Sequence, residues 1–426
     1  MALLSFAFFF VFLLIGIPIS FSLILAGIFA TLFGTSVPLM IAPQMMVKGV
    51  NSFPVMAIPF FILAGNIMTR GGISKRLVRF AYSIVGAITG GLAMVSILAS
   101  MFFAAISGSS PATAAAIGSI MIPPMEEKGY DRKYSAAVIA AAGTIGIVIP
   151  PSIPMVVYGV NAEVSIAGLF LGGIFPGILM GVALMILNYH FSKREGYVGE
   201  GSFSFKEFFV SFVDAFPALL MPIIILGGIY SGVFTPTESA IVASAYGLII
   251  GKFVYRELKW KDLFKVTEDS AKSTANILML IAAAMFFGWF LASEQVPQRI
   301  GSFVLSITRN PYLILLFFNA VLLVAGMFLD SIACIVLLTP IFLPIMHDLN
   351  INPLVVGIIM TVNLAIGQVT PPVGLNLFVV SSIAKIKFDD IIKPILPFII
   401  ALIVVVLIVT YIPVIAYYLP SLLGYM

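Results

Sequence analysis

Two polar motifs interrupt apolar stretches in the first half of the chain: ISGSSPAT at residues 106–113 and GTIGIVIPPS at residues 143–152. Ser110 is a favourable N-cap and Pro111 suits the first helical position, so the first motif predicts that one helix ends and another begins. Hydroxyls and main-chain carbonyls at such a break can bind a hard cation and a polar solute. The structural alternative is a small-residue seam that only packs helices.

The second motif carries two prolines after a glycine-bearing run, which predicts a helix that unwinds at its middle. The carbonyls released there can bind Na⁺, and the N-terminus of the following half-helix favours an anionic group. A proline kink without a ligand is the alternative.

The second half repeats both parts with different side chains, as GMFLDS at 326–331 and GQVTPP at 367–372. Asp330 is the only acid deep within a long apolar run, and a carboxylate inside a membrane usually has a function. It could ligate a cation, carry a proton or accept hydrogen bonds from a solute. A purely structural role, as the cap of a helix, is the alternative.

The composition places these motifs in a membrane protein. Of 426 residues, 61% are hydrophobic and 9% are charged, whereas about 25% of the residues in soluble domains are charged. The single cysteine, Cys334, excludes an internal disulfide, and no cluster of His, Glu and Lys favours an enzyme. The net charge is +4, and the basic residues are scattered among loops. No nucleic-acid partner is therefore expected. We predict a single membrane domain over residues 1–426, embedded in a lipid bilayer.

Apolar runs separated by charged patches predict the membrane spans. Ordinary spans are expected near residues 1–15, 18–35, 54–69, 166–191, 214–233, 236–254, 274–292 and 394–415. Interrupted segments are expected at 88–125, 134–160, 311–347 and 353–384, where glycine and proline mark breaks. Residues 72–85 predict an amphipathic arm at the membrane interface.

Basic residues fix the orientation of these segments. Nineteen of the 22 lysines and arginines fall in five patches, at residues 70–79, 128–133, 193–206, 252–272 and 385–393. The positive-inside rule places all five in the cytoplasm. Residues 88–125 must then enter the membrane and return as a hairpin with its tip near Ser107 to Pro111. Residues 311–347 form a hairpin from the opposite face with its tip near Asp330, and both termini are predicted to be periplasmic.

A shift of 221 residues superposes landmarks of the two halves without gaps. Pro150 and Pro151 fall on Pro371 and Pro372, Gly146 falls on Gly367, and Ser109 falls on Asp330. These matches predict an inverted repeat. The first repeat covers about 1–191, a cytoplasmic linker 192–206, and the second repeat about 207–415. The predicted fold is an all-α membrane protein with two re-entrant helical hairpins and two broken helices.

The motifs at 107–113 and 149–152, together with GVFTPTE at 232–238 and VTPP at 369–372, resemble the large membrane (M) subunit of tripartite ATP-independent periplasmic (TRAP) transporters. The resemblance covers essentially the whole chain. It implies an elevator transporter related to divalent anion:Na⁺ symporters. It also implies two partners: a small four-helix membrane subunit, expected as a separate chain, and a periplasmic solute-binding protein.

The resemblance also implies site residues. One Na⁺ site maps onto Ser107, Ser110, Gly146, Ile149 and Pro151, and a second maps onto Asp330, Gly367 and Thr370. The substrate is expected between them, at Ser109, Ser165, Asp330, Pro151 and Pro372. Ala104 and Ala112 offer no hydroxyl to the first site.

The motifs predict a Na⁺-coupled importer of a carboxylate-bearing solute. The resemblance implies a solute of the sialic acid or C4-dicarboxylate class and a location in the bacterial inner membrane. No organic cofactor is expected, and the function is transport rather than catalysis. The alternative is a stand-alone Na⁺- or H⁺-coupled symporter or antiporter that works without a binding protein.

Overall fold

Helices account for all of the regular structure in the computed structural model, which describes residues 2–34, 38–199 and 201–425. These residues form twenty α-helices and no strand. The first ten are α1 Ala2–Leu14, α2 Ile19–Gly34, α3 Ile41–Val50, α4 Ala57–Arg70, α5 Ile73–Val85, α6 Gly91–Ser107, α7 Ser110–Glu127, α8 Arg132–Gly143, α9 Ile153–Asn161 and α10 Ile166–Glu195. The all-α prediction is confirmed.

The second half continues with another ten helices. They are α11 Phe205–Tyr230, α12 Pro236–Ile249, α13 Trp260–Ser293, α14 Val296–Ile307, α15 Pro311–Phe328, α16 Ser331–Asp348, α17 Pro353–Gly367, α18 Leu375–Ala384, α19 Phe388–Tyr411 and α20 Val414–Leu422. Within the described ranges, eight helical segments are long and apolar enough to cross a membrane. A multi-pass membrane protein follows from them.

Two helices begin before the membrane spans predicted within them. Helix α11 begins at Phe205 and its span is predicted from 214, and α13 begins at Trp260 and its span is predicted from 274. The first turns of these helices carry charged residues such as Glu207 and Asp262. Hydropathy alone assigns such turns to loops, although the helix continues beyond the apolar layer.

Each interrupted segment is a pair of helices, as predicted. The two hairpins are α6 with α7 and α15 with α16, and the two broken helices are α8 with α9 and α17 with α18. Shifted by 221 residues, α7 falls on the bounds of α16, and α6 begins one residue after α15. The paired elements of the two halves therefore have the same order and nearly the same lengths. The limits of the two repeats remain predictions.

The two hairpins approach from opposite ends of α10. Near its N-terminal end, a Cβ built on Gly168 would lie 2.7 Å from Leu354, which follows the second hairpin. Near its C-terminal end, Asn188 Nδ2 donates to the carbonyl of Gly90, at the base of the first hairpin, at 3.5 Å. Twenty helical residues span about 30 Å, which is the thickness of a bilayer core. The inverted arrangement of the hairpins is confirmed.

Ion pairs and hydrogen bonds bring the five basic patches to one face. Within or beside three of the patches, Arg70 pairs with Asp269 at 3.0 Å, Arg76 with Glu257 at 2.7 Å and Arg79 with Glu207 at 2.9 Å. Two further contacts connect the remaining patches: Lys133 Nζ with Asp390 at 2.8 Å, and the Asp131 N–H with the Tyr197 hydroxyl at 3.0 Å. The prediction that all five patches share a side therefore agrees with the structure.

Both termini are predicted to be periplasmic, but Met1 and Met426 lie outside the described residues. The end of the span predicted at 18–35 also lies outside them.

Cysteine labelling tests the sidedness of the fold. In a Cys334→Ala background, we expect Lys206→Cys on the basic face to react with a membrane-impermeant maleimide only after right-side-out vesicles are permeabilised. Glu163→Cys, exposed before the N-terminus of α10, should react without permeabilisation. Labelling of both cysteines from the same side would contradict the inverted arrangement.

Candidate functional site

The first hairpin turns at Gly108, between α6 and α7. Gly108 has φ +60°, a left-handed conformation that glycine adopts at little cost. Ser109 is extended, and its Oγ accepts a hydrogen bond from the N–H of Ala112 at 3.5 Å. Ser109 therefore caps α7, and the prediction that Ser110 is the N-cap is wrong by one residue. The reason is that the turn at Gly108 is complete before Ser110, which is already helical.

Ser110 is fully buried and points to the other half of the molecule. Its Oγ accepts a hydrogen bond from Asn376 Nδ2 at 2.8 Å, and the same nitrogen donates to the carbonyl of Ala140 at 3.1 Å. Because Asn376 lies in α18, one buried amide joins the first hairpin and the first broken helix to the second repeat.

Oxygen atoms of the first hairpin tip form one continuous patch, against which the first break packs. Ser107 Oγ lies 2.8 Å from Thr113 Oγ1, which donates to the main-chain oxygen of Ser109 at 2.8 Å. Gly146 packs directly on this patch, since a Cβ there would lie 2.5 Å from Thr113 Oγ1 and 2.6 Å from the Ser109 oxygen. Only glycine allows the main chain to approach the patch so closely.

The first broken helix is interrupted between α8 and α9. A 3₁₀ turn, Thr144–Ile147, follows α8, and α9 begins at Ile153 with Ser152 as its N-cap. The Ile153 N–H donates to the carbonyl of Gly108 at 3.4 Å. A Cβ on Gly108 would lie 2.8 Å from the Pro151 oxygen. The break and the hairpin tip therefore fix each other's main chains.

Asp330 forms the tip of the second hairpin. It is the N-cap of α16, and its Oδ2 accepts a hydrogen bond from the N–H of Ile332 at 3.0 Å. This contact is the capping role given as the structural alternative. The neighbouring Ser331 accepts a hydrogen bond from Gln368 Nε2 at 2.5 Å, so the second tip is joined to the second break as the first tip is joined to the first.

The second broken helix is interrupted between Gly367 and Leu375. A Cβ on Gly367 would lie 2.6 Å from the carbonyl carbon of Gly326 in the second hairpin. Thr370 Oγ1 donates to the carbonyl of Ile366 at 2.7 Å. Gly367, which is equivalent to Gly146, therefore also lies where two segments of main chain make a close contact.

A cavity of about 290 Å³ lies where the two tips meet. Ser107, Ser109 and Asp330 line it, so Asp330 both caps α16 and borders the cavity. Other lining residues come from both breaks and from α4 and α13, among them Ile147, Ile153, Pro154, Gln368, Ile62, Gly65, Asn66, Ser273 and Ile277. Six predicted Na⁺-site residues contribute no lining of this cavity: Ser110, Gly146, Ile149, Pro151, Gly367 and Thr370.

Two predicted substrate residues lie elsewhere. Ser165 caps α10, accepting a hydrogen bond from the N–H of Gly168 at 3.1 Å. It lines a separate cavity of about 550 Å³, together with Glu163 and Thr235. Pro372 is exposed and does not line the cavity between the tips. Ser165 therefore lies at another cavity, and neither Pro372 nor Pro151 lines the cavity between the tips.

Asp330 is the only ionisable residue among the described residues that line the cavity between the tips. The N-termini of α7, α9 and α16 contribute Pro111, Pro154 and Ile332 to its wall. A helix N-terminus carries partial positive charge. The cavity thus combines one carboxylate, several hydroxyls and three helix ends that favour an anion.

Sequence reasoning missed several polar residues of this region. Thr113 lies within the first motif, and Gln368 lies within the second-repeat motif, but neither was assigned a role. Asn66 donates to Ser270 at 2.9 Å and lines the cavity with Ser273. An isolated amide within an apolar span is a signal that could have identified Asn66.

Comparison with known proteins gives the family. A family model described as the DctM component of tripartite ATP-independent periplasmic transporters matches residues 6–415. The isethionate TRAP transporter permease protein DctMQ of Oleidesulfovibrio alaskensis is 48% identical over 96% of this chain and 64% of its own length. The C4-dicarboxylate TRAP transporter large permease protein DctM of Pseudomonas aeruginosa is 46% identical over 87% of each chain.

The chain belongs to the DctM family. A further member, the sialic acid TRAP transporter large permease protein SiaM of Vibrio cholerae, is 39% identical over 96% of each chain. Among solved structures, the YdaH transporter of Alcanivorax borkumensis has a TM-score of 0.65 over 87% of each chain at 14% identity. That similarity concerns the fold alone. The resemblance inferred from the motifs is confirmed: this is a TRAP large permease subunit.

Gly146→Ala tests the contact between the first tip and the first break of this TRAP permease. The added Cβ would meet the main-chain oxygen of Ser109, so we expect a loss of about 1–3 kcal/mol of stability. The melting temperature of the purified protein measures it. Gly227→Ala in α11 is the matched control, because no atom lies within 4 Å of the new Cβ and alanine favours a helix. Equal melting temperatures for the two variants would contradict the close contact.

Proposed function

We propose that this chain is the transport subunit of a Na⁺-coupled TRAP importer for a small organic anion. The observation that carries the proposal is the cavity between the two hairpin tips, where Asp330 is the only ionisable lining residue among those described. A carboxylate or sulfonate beside Asp330 would be repelled. A bound cation would remove that repulsion and favour binding of cation and anion together.

The residues at the first tip fit a sodium ion. Hydroxyl and carbonyl oxygens are the ligands that hard cations prefer, and Ser107, Thr113 and Ser109 provide them within hydrogen-bonding distance of one another. Gly146 lets the main chain of the first break approach this patch. We assign the first Na⁺ site to this patch, with Ile149, Pro151 and Ser110 supporting it.

The second Na⁺ site is proposed at Asp330, Gly367 and Thr370. The Asp330 carboxylate supplies negative charge that the first site lacks, and its Oδ2 is oriented by the N–H of Ile332. The two sites flank the cavity, so sodium would offset the charge of an anionic solute at Ser109 and the N-terminus of α7. Sodium would contribute positive charge to the site, and residues of this chain would bind the solute.

The substrate class follows from the relatives and the cavity together. The relatives' names specify isethionate, C4-dicarboxylate and sialic acid transport, and these solutes are all organic anions. A cavity of about 290 Å³ is near the lower end of small-molecule sites. We propose a carboxylate- or sulfonate-bearing solute for this chain.

The cavity also supports an elevator mechanism. Its walls come from two sets of elements: the hairpins and broken helices on one side, and α4 and α13 on the other. Movement of the first set past the second would carry the site across the membrane as one body. In this proposal a periplasmic binding protein delivers the solute, and a small membrane subunit packs against the helices that do not move; the family description, a tripartite periplasmic transporter, supports two further components. The proposed location is the bacterial inner membrane.

Reconstituted uptake tests the coupling. With the binding protein and small subunit present, replacing external Na⁺ by K⁺ should abolish uptake of the organic anion. Asp330→Asn should reduce uptake at least roughly tenfold, which corresponds to about 1.4 kcal/mol, and should raise the half-saturating Na⁺ concentration. Asp389→Asn, exposed at the start of α19, is the control and should leave both unchanged.

Undiminished uptake without Na⁺ would refute the coupling. Uptake by the chain without a binding protein would instead select the stand-alone symporter or antiporter.

A further inference from the structure

Gln368 occupies a fixed position in the second break. Its carbonyl accepts a hydrogen bond from the N–H of Asn376 at 3.0 Å, and its N–H donates to the carbonyl of Leu364 at 3.3 Å. The residue is 3% exposed and lines the cavity between the tips. Its side chain is therefore held at the wall of the site by main-chain contacts on both sides.

The two ends of the Gln368 amide have different environments. Nε2 donates to Ser331 Oγ at 2.5 Å. Oε1 is buried and has no hydrogen-bond partner among the described residues. A buried acceptor without a partner costs free energy, and such groups in native structures usually have a specific reason. The reason suggested by the position is a ligand that donates a hydrogen bond.

The surroundings narrow the class of ligand. Asp330, beside Ser331, can only accept hydrogen bonds while it is ionised, and it would repel the anionic group of a solute. Gly367 and Thr370, the proposed cation ligands, do not line the cavity, whereas Gln368 does. Gln368 therefore faces the space in which a solute larger than an ion must lie. A neutral oxygen there repels a carboxylate but matches a hydroxyl.

We propose that Gln368 is a specificity-determining residue that accepts a hydrogen bond from a hydroxyl group of the transported anion. The site then selects hydroxylated organic anions over analogues of equal charge that lack the hydroxyl. The anionic group lies away from Asp330, towards Ser109 and the N-terminus of α7. This inference rests on the proposed function, because it requires that the cavity bind an organic anion.

Equilibrium binding to the purified protein tests the inference without relying on uptake. Dissociation constants are measured in Na⁺ for two matched pairs: 2-hydroxyethanesulfonate with ethanesulfonate, and malate with succinate. We expect the wild type to bind the hydroxylated member of at least one pair roughly tenfold more tightly, as one hydrogen bond would give. Gln368→Met keeps a long unbranched side chain without an acceptor oxygen, and should reduce this ratio to about one.

Two controls accompany the binding series. Gln298→Met makes the same chemical change at an exposed position in α14 and should keep the wild-type ratio. Because Gln368→Met also loses the hydrogen bond from Nε2 to Ser331 Oγ, its melting temperature without ligand should fall only slightly, and its half-saturating Na⁺ concentration should be unchanged. A variant that meets these conditions but loses the preference for the hydroxyl supports the inference.

Three results would overturn the inference. The first is an unchanged ratio in Gln368→Met. The second is a shifted Na⁺ requirement with an unchanged ratio, which would make Gln368 a cation ligand. The third is a wild type that binds neither member of either pair, or both equally. If uptake did not depend on Na⁺ but the purified protein still preferred the hydroxylated anion, only the proposed function would be refuted.

Discussion

The fold depends on the need to satisfy main-chain polar groups that four interrupted helical segments expose within the apolar layer. Lipid offers no hydrogen bonds, so non-helical backbone is tolerated there only where protein or water surrounds it. In this chain the N–H of Ile153 donates to the carbonyl of Gly108, and the N–H of Asn376 donates to the carbonyl of Gln368. A side-chain bond from Gln368 Nε2 to Ser331 Oγ joins the second break to the second tip. Asn376 then joins the two repeats through Ser110 and Ala140. These bonds hold the four segments together, and the cavity lies between the two tips.

The same constraint makes the repeats alike in backbone and different in charge. Ser109 and Asp330 are related by the 221-residue shift, and both cap the second helix of a hairpin. One contributes a hydroxyl and the other a carboxylate, so a shared geometry produces two chemically different sides of one cavity. Gly146 and Gly367, also related by the shift, permit close main-chain approach in both halves. Duplication accounts for the architecture, and divergence at a few side chains accounts for the proposed pairing of cations with an anion.

Much of this arrangement was predictable from the sequence because its signals are local. Proline and glycine marked the breaks, and the basic patches fixed the sides. The N-cap was misplaced to Ser110 because the left-handed turn at Gly108 cannot be located from residue types alone. Helices α11 and α13 begin before their predicted spans because hydropathy does not distinguish their charged first turns from loops. Asn66, Thr113 and Gln368 were missed because their roles depend on which helix faces meet. Ser165 was predicted at the substrate site, but it lines a separate cavity. Its position depends on tertiary packing, which the residue types alone do not give.

The most direct test of the account is the reactivity of a cysteine placed at Ser109, in a Cys334→Ala background, towards a small hydrophilic thiol reagent. Because Ser109 lines a cavity walled by both tips, the account predicts that Na⁺ and a transported anion together slow the modification strongly, whereas either alone has little effect. A modification rate that is unaffected by the two together would contradict a common site for cation and anion between the hairpin tips.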